Sequence, residues 1–96
     1  MNMIDEVNSG AAQLLDVRTL EEWQTGHAVH ALHIPVDELL AGEKSALFPS
    51  KKTYVYCAAG RRAGTAAKYL QKHDFKAENV GGLSDWIRAG GILAKV

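Results

Sequence analysis

The chain has a single cysteine, Cys57, and in YVYCAAGRRAGTAAKYL it is followed by small and then cationic residues: Ala58, Ala59, Gly60, Arg61 and Arg62. Cysteine serves either as a small buried hydrophobe or as a thiolate nucleophile, and its neighbourhood decides which. Here the strand-like run TYVYC ends at the sulfur. Helical periodicity begins near Arg62, with Ala63, Ala66, Ala67 and Leu70 three and four positions apart. The residues between must curve around the sulfur, and small ones let successive backbone N–H groups turn inward as a nest for negative charge. The following helix brings the positive end of its dipole to the same point, and a nearby guanidinium acts in the same sense. On these features alone a nucleophile in a local anion pocket and an inert buried thiol both stay open.

Composition narrows the alternatives. One cysteine allows no internal disulfide and no thiolate zinc site. Eleven basic and eleven acidic side chains cancel, so no overall field argues for nucleic acid or an anionic membrane as partner, and any anion site is local. The opening MNMIDEVNSG contains acidic residues and no long apolar run, so neither a signal peptide nor a membrane span is expected. A free thiol suits a reducing cytoplasm, and a mature periplasmic protein can also carry one. His27, His30 and His33 would share a helix face and suggest a metal. Extended chain before Pro35 instead sends His27 and His33 to one side and His30 to the other.

The elements that must position Cys57 follow from periodicity and punctuation. After a brief N-terminal segment, AAQLLDV over 11–17 predicts a buried strand. Thr19 and Glu22 form a capping box, predicting a helix with Leu20 and Trp23 on its inner side until Gly26. Residues 27–35 are expected to be extended, and VDELLAG a short helix. Phe48 is expected to anchor the polar stretch before TYVYC. FKAENV predicts a strand, Gly81-Gly82 a tight turn, and LSDWIRAGG a terminal helix. Strands alternating with helices in 96 residues predict one α/β domain, 1–96, with a mainly parallel sheet and ligand sites beyond the strands' C-terminal ends.

CAAGRR resembles the active-site loop of single-domain rhodaneses, the thiosulfate and persulfide sulfurtransferases, whose loop commonly has the form CxxGxR. LLDVRTLEEWQTGH is similar to that family's first signature at Asp16, Arg18, Glu22, Gly26 and His27, continued at Ile34 and Pro35. NVGGLSDWIRAG is similar to its second at Gly81, Gly82, Leu83 and Trp86. His30 departs from the pattern, which favours glycine there, so an altered turn is expected between Gly26 and Ala31.

The resemblance implies a rhodanese-like three-layer α/β domain: a central, mainly parallel five-stranded sheet with helices on both faces. It implies that Cys57 carries a persulfide from thiosulfate or another sulfane sulfur donor to a thiophilic acceptor. Cyanide would serve in vitro; glutathione, dihydrolipoate or a thioredoxin-like protein would serve in a cell. No metal or organic cofactor is implied. Ala58, Ala59, Gly60, Arg61 and Arg62 are the expected substrate-binding residues, with N–H groups from Ala58 through Arg62 holding the persulfide charge. Arg62 is the expected side-chain contributor, while Arg61 points outward and attracts anionic donors. Asp16 and Arg18 are expected to form a buried or half-buried supporting pair, and Glu22 to cap its helix. Trp23, Phe48, Leu83 and Trp86 are read as packing residues. Cysteine phosphatases need arginine six positions after the cysteine, where this chain has Ala63, so the loop suits a sulfur substrate. The second reading is a non-catalytic binding or regulatory module, which typically lacks the cysteine.

Overall fold

The computed structural model describes residues 2–94. The chain opens with helix α1 (Met3–Ser9), in the brief N-terminal segment to which the sequence assigned no element. Its signals are local: the Asn2 side chain accepts from the Asp5 N–H, Asp5 and Glu6 lie in the first turn, and Gly10 closes the helix in the left-handed region. Then follow β1 (Ala12–Asp16), α2 (Leu20–Gln24), β2 (His27–Ala28), β3 (Ala31–His33), α3 (Val36–Leu40), β4 (Lys52–Cys57), α4 (Arg61–Lys72), β5 (Ala77–Gly82), α5 (Leu83–Arg88) and β6 (Leu93–Ala94).

The main sheet has the order β3-β1-β4-β5 and is parallel throughout. It has four strands, not the five the resemblance implied. β2 leaves it to pair antiparallel with β6 in a separate two-stranded ribbon. The extended passage expected over 27–35 is thus broken by a turn at Val29-His30, with His30 at φ 70°. His30 thus holds a left-handed conformation that glycine adopts freely and that is costly for a residue with a Cβ.

Alternation along the strands sorts side chains into two cores. Leu15, Val17, Val55 and Cys57 meet Leu39 of α3 and Ala63, Ala66 and Leu70 of α4. Leu14, Tyr54 and Tyr56 face Val7 of α1 and Trp86 of α5 on the other side. The α4 stripe packs as its spacing predicted. Trp86 is core, and Leu83 packs half-buried against the same cluster.

Two expected anchors fail. Leu20 is 55% exposed, and α2 has no buried residue. Phe48 is 57% exposed, while its neighbour Leu47 is buried. The chain at Phe48 is held by its backbone: Gln13, buried on β1, donates to the Phe48 carbonyl at 2.8 Å and accepts from its N–H at 2.9 Å. Gly81 and Gly82 form the end of β5 instead of a turn. A register irregularity pairs Val55 with Asn79 and Tyr56 with Gly81, displacing Val80 from the ladder beside the Cys57 loop.

Candidate active site

Cys57 is the last residue of β4, opposite Gly82 of β5, and its side chain points into the α3/α4 core. Only 1% of the residue is exposed, although Ala58 and Ala59 above it are open to solvent. The sulfur receives the Gly60 N–H at 3.0 Å and the Ala63 N–H at 3.4 Å. α4 has no side-chain N-cap, so the sulfur takes the place a capping oxygen would fill, receiving the Ala63 N–H from the helix's first turn and the N–H of the N-cap residue Gly60. Of the N–H groups expected from Ala58 through Arg62, Gly60 is the donor at the sulfur, joined by Ala63 from outside that span. Two N–H dipoles and the start of a twelve-residue helix are thus aimed at one sulfur, an arrangement that stabilises negative charge there.

The loop closes this tightly because glycines allow it. Gly60 sits at φ 104°, and a Cβ there would lie 3.2 Å from the Gly81 Cα. A Cβ on Gly82 would run into the Ala58 carbonyl. Asn79 locks the contact: its Nδ2 donates to the Gly60 carbonyl at 3.0 Å, and its Oδ1 accepts from the Gly81 N–H at 2.8 Å. Sequence reading missed this strut: Asn79 opens the stretch NVGGLSDWIRAG but is not among its matched positions, and it lies nineteen residues from Gly60.

The two arginines separate. Arg61 is exposed, as expected. Arg62 turns both terminal nitrogens to Glu22 of α2, at 2.7 and 3.0 Å. Glu22 also accepts from the Thr19 N–H at 3.0 Å and hydroxyl at 3.2 Å, completing the expected capping box. The Arg62 hydrogen bond, with help from Thr19, holds the Glu22 carboxyl down at about 2, from an ordinary 4.5. Arg62 is raised in return by Glu22, with smaller contributions from Cys57 and Asp16. Glu22 thus has a second role as partner of Arg62, one that a separation of forty residues hides.

Beneath α2 lies the expected Asp16–Arg18 pair, fully enclosed. Arg18 Nε and a terminal nitrogen reach Asp16 Oδ2 at 2.9 and 2.8 Å, and that terminal nitrogen also donates to the Gly26 carbonyl at 2.7 Å. Tyr56, unremarked in the sequence, donates its hydroxyl to Asp16 Oδ2 at 2.5 Å and accepts the Ala28 N–H at 3.0 Å. Burial, reinforced by Asp16, pushes the Tyr56 hydroxyl far above its usual range. Burial alone would depress Arg18, but the hydrogen bond and charge of Asp16 outweigh it. The network ties the C-terminal end of β1 to β4 and to the start of β2, and does not touch the sulfur.

His27 and His33 both stack on Trp23, with ring centroids 3.5 and 4.7 Å away, but from separate strands on either side of the Val29-His30 turn, not from the single extended run that alternation assumed. His27 Nδ1 meets the Trp23 carbonyl, and His33 Nε2 the Arg18 carbonyl at 2.8 Å. Among the described residues no group of histidine, cysteine or carboxylate side chains is placed to hold a metal ion, and no helix is long and apolar enough to cross a membrane.

Comparison with known proteins agrees with this architecture. The rhodanese-like domain family matches residues 2–89. Thiosulfate sulfurtransferase PspE of Escherichia coli is 36% identical over 77 residues, which cover 78% of this chain and 74% of that protein. A putative sulfur carrier protein of Bacillus subtilis, YrkF, is 38% identical over 77 residues, covering 76% of this chain but only 40% of its own length. A rhodanese-related protein from Thermoplasma volcanium superposes with a TM-score of 0.78 at 32% identity, covering 91% of this chain and 87% of its own. With its three layers, its parallel core sheet and a lone cysteine at a strand's end, the chain belongs to the rhodanese-like domain family.

Proposed function

We infer that this protein is a sulfurtransferase working through a Cys57 persulfide. The observation that carries the reading is the pair of backbone N–H groups, from Gly60 and Ala63, converging on a sulfur at the start of α4. In the first half-reaction the Cys57 thiolate attacks the outer sulfur of thiosulfate. A new S–S bond forms, the donor's S–S bond breaks, and sulfite leaves with that bond's electron pair. With a hydropersulfide donor the leaving group is a thiolate. In the second, a thiolate or cyanide takes the outer sulfur and Cys57 regains its electron pair, so no net oxidant or reductant is needed. Ala58, Ala59 and Gly60 provide the small-residue wall, the N–H groups stabilise the anionic persulfide, and Arg61 draws in anionic donors. Asp16 and Arg18 position the loop from below. The acceptor is a small thiol or a thioredoxin-like protein, and a reducing cytoplasm is the compartment that suits the free thiol.

Intact-protein mass spectrometry after exposure to thiosulfate, and separately to polysulfide, tests the reading. It expects a reversible gain of one sulfur, about 32 Da, removed by cyanide or thiol and absent in Cys57→Ser. No gain with either donor would refute it. A second reading, a sulfur carrier handing its persulfide to a dedicated partner, draws support from the 1% exposure of Cys57 and from the similarity to a putative carrier. It expects the same mass gain with negligible turnover on free thiols.

A further inference from the structure

We propose that Glu22 is a specificity-determining residue, a carboxylate built into the Cys57 site that occupies the Arg62 fork and turns donor choice from the dianion thiosulfate towards a singly charged hydropersulfide. The proposal deepens the sulfur-transfer reading and rests on it.

All but one of the arginines among the described residues are already paired with a carboxylate. Arg62 presents a planar fork of the kind that grips an oxyanion with two parallel hydrogen bonds. Both terminal nitrogens are already committed to the two oxygens of Glu22. That carboxylate is itself fixed by the Thr19 N–H and hydroxyl, so an incoming anion competes with a partner already in place. Arg18 is paired with Asp16, and Arg88 with Asp85. Arg61 alone among the arginines has no carboxylate partner within the described residues. The Asp16–Arg18 and Glu22–Arg62 pairs are each neutral, which leaves Arg61 as the one uncompensated guanidinium of the loop. With the attacking Cys57 thiolate counted against Arg61, the loop offers no further free guanidinium, so the dianion thiosulfate brings one uncompensated charge more than a singly charged hydropersulfide does. The Glu22–Arg62 pair is within reach of a ligand, its side chains being 33% and 34% exposed. The transfer conserves charge: hydropersulfide anion and Cys57 thiolate become thiolate product and Cys57 persulfide anion.

Glu22→Gln isolates the charge, because glutamine at this position still completes a capping box while leaving the Arg62 guanidinium unneutralised. Sodium thiosulfate is titrated calorimetrically into Cys57→Ser protein with and without Glu22→Gln. Binding about five- to tenfold tighter with the substitution is expected, as for a charge released at a partly exposed site. Adding Arg62→Gln abolishes the gain. In protein retaining Cys57, Glu22→Gln shifts the ratio of kcat/KM for thiosulfate over a simple alkyl hydropersulfide in favour of thiosulfate. A merely structural Glu22 gives the opposite sign, with weaker binding and loss on both donors. Equal or weaker binding after Glu22→Gln, no binding by any of these proteins, or a gain that survives Arg62→Gln overturns the proposal. Sulfur uptake in the mass assay without the affinity change defeats the masking role alone. The affinity change without uptake defeats the transfer reading and supports the masking of Arg62.

Discussion

The two helices flanking the Cys57 loop are held by opposite kinds of force. α4 runs for twelve residues and is fastened by apolar burial of Ala63, Ala66, Ala67 and Leu70. α2 has five residues, none buried, and is fastened by its Thr19–Glu22 capping box, the Glu22–Arg62 pair and the stacking of Trp23 on His27 and His33. Apolar burial is indifferent to salt and nearly so to pH, whereas half-exposed ion pairs respond to both. The α4 side is therefore a fixed scaffold that places the sulfur. The α2 side is an electrostatic wall, adjustable by single charge changes.

The largest expected effect lies beneath the polar side. Asp16→Ala leaves Arg18, 5% exposed, without its counter-charge and removes the acceptor of the Tyr56 hydroxyl. A loss of about 3–5 kcal/mol in urea unfolding is expected, as for breaking a buried pair. A loss under about 1 kcal/mol would show that this network does not anchor the α2 wall. Next comes the apolar side: Leu70→Ala, at a fully buried position, costs about 2–5 kcal/mol. That cost should be the same in low and high salt, and a strong salt dependence would erase the contrast between the helices.

Glu22 gives a smaller, pH-dependent effect. Its folded pKa is depressed to about 2 from 4.5, so the folded state takes up its proton less readily than the unfolded chain. The stability it contributes is present above about 4.5 and lost as pH falls towards 2. Unfolding curves of the native chain and Glu22→Gln should converge across that window. Because the pair is a third exposed and screened, the gap at neutral pH is under about 1 kcal/mol and narrows with salt. A gap that persists in acid would mean that the ion pair is not its origin. Smallest is the strained turn: His30→Gly relieves a positive φ of 70° and should raise stability by about 0.5 kcal/mol once the entropy of glycine is counted, and with it the melting temperature. A lower melting temperature would show that the His30 side chain is contributing.

How far the sequence could be read follows the same divide. The α4 stripe, the β4 run into Cys57 and the Thr19–Glu22 box are local patterns, fully expressed within a few residues, and each stands where periodicity placed it. α1 was also locally encoded, by Asn2 and Gly10, but its short span hid it. Leu20 and Phe48 are apolar without being buried: α2 is held by polar groups and stacking, and the 41–51 loop by the Gln13 bonds to the Phe48 backbone together with burial of Leu47. The pairing of Glu22 with Arg62, the Asn79 strut and the Asp16–Tyr56 bond join residues nineteen to forty positions apart, and only the folded chain brings them together. The pairing of β2 with β6 likewise joins distant short segments that carry no alternation of their own.

The depth of Cys57 has a consequence for chemical durability. A disulfide requires two Cα atoms within about 4.4–6.8 Å of each other. With its Cα in a central strand and its side chain under α4, Cys57 cannot bring a second copy's cysteine that close while folded. The lone thiol is thereby protected from oxidative dimerisation, and its low exposure slows attack by peroxide.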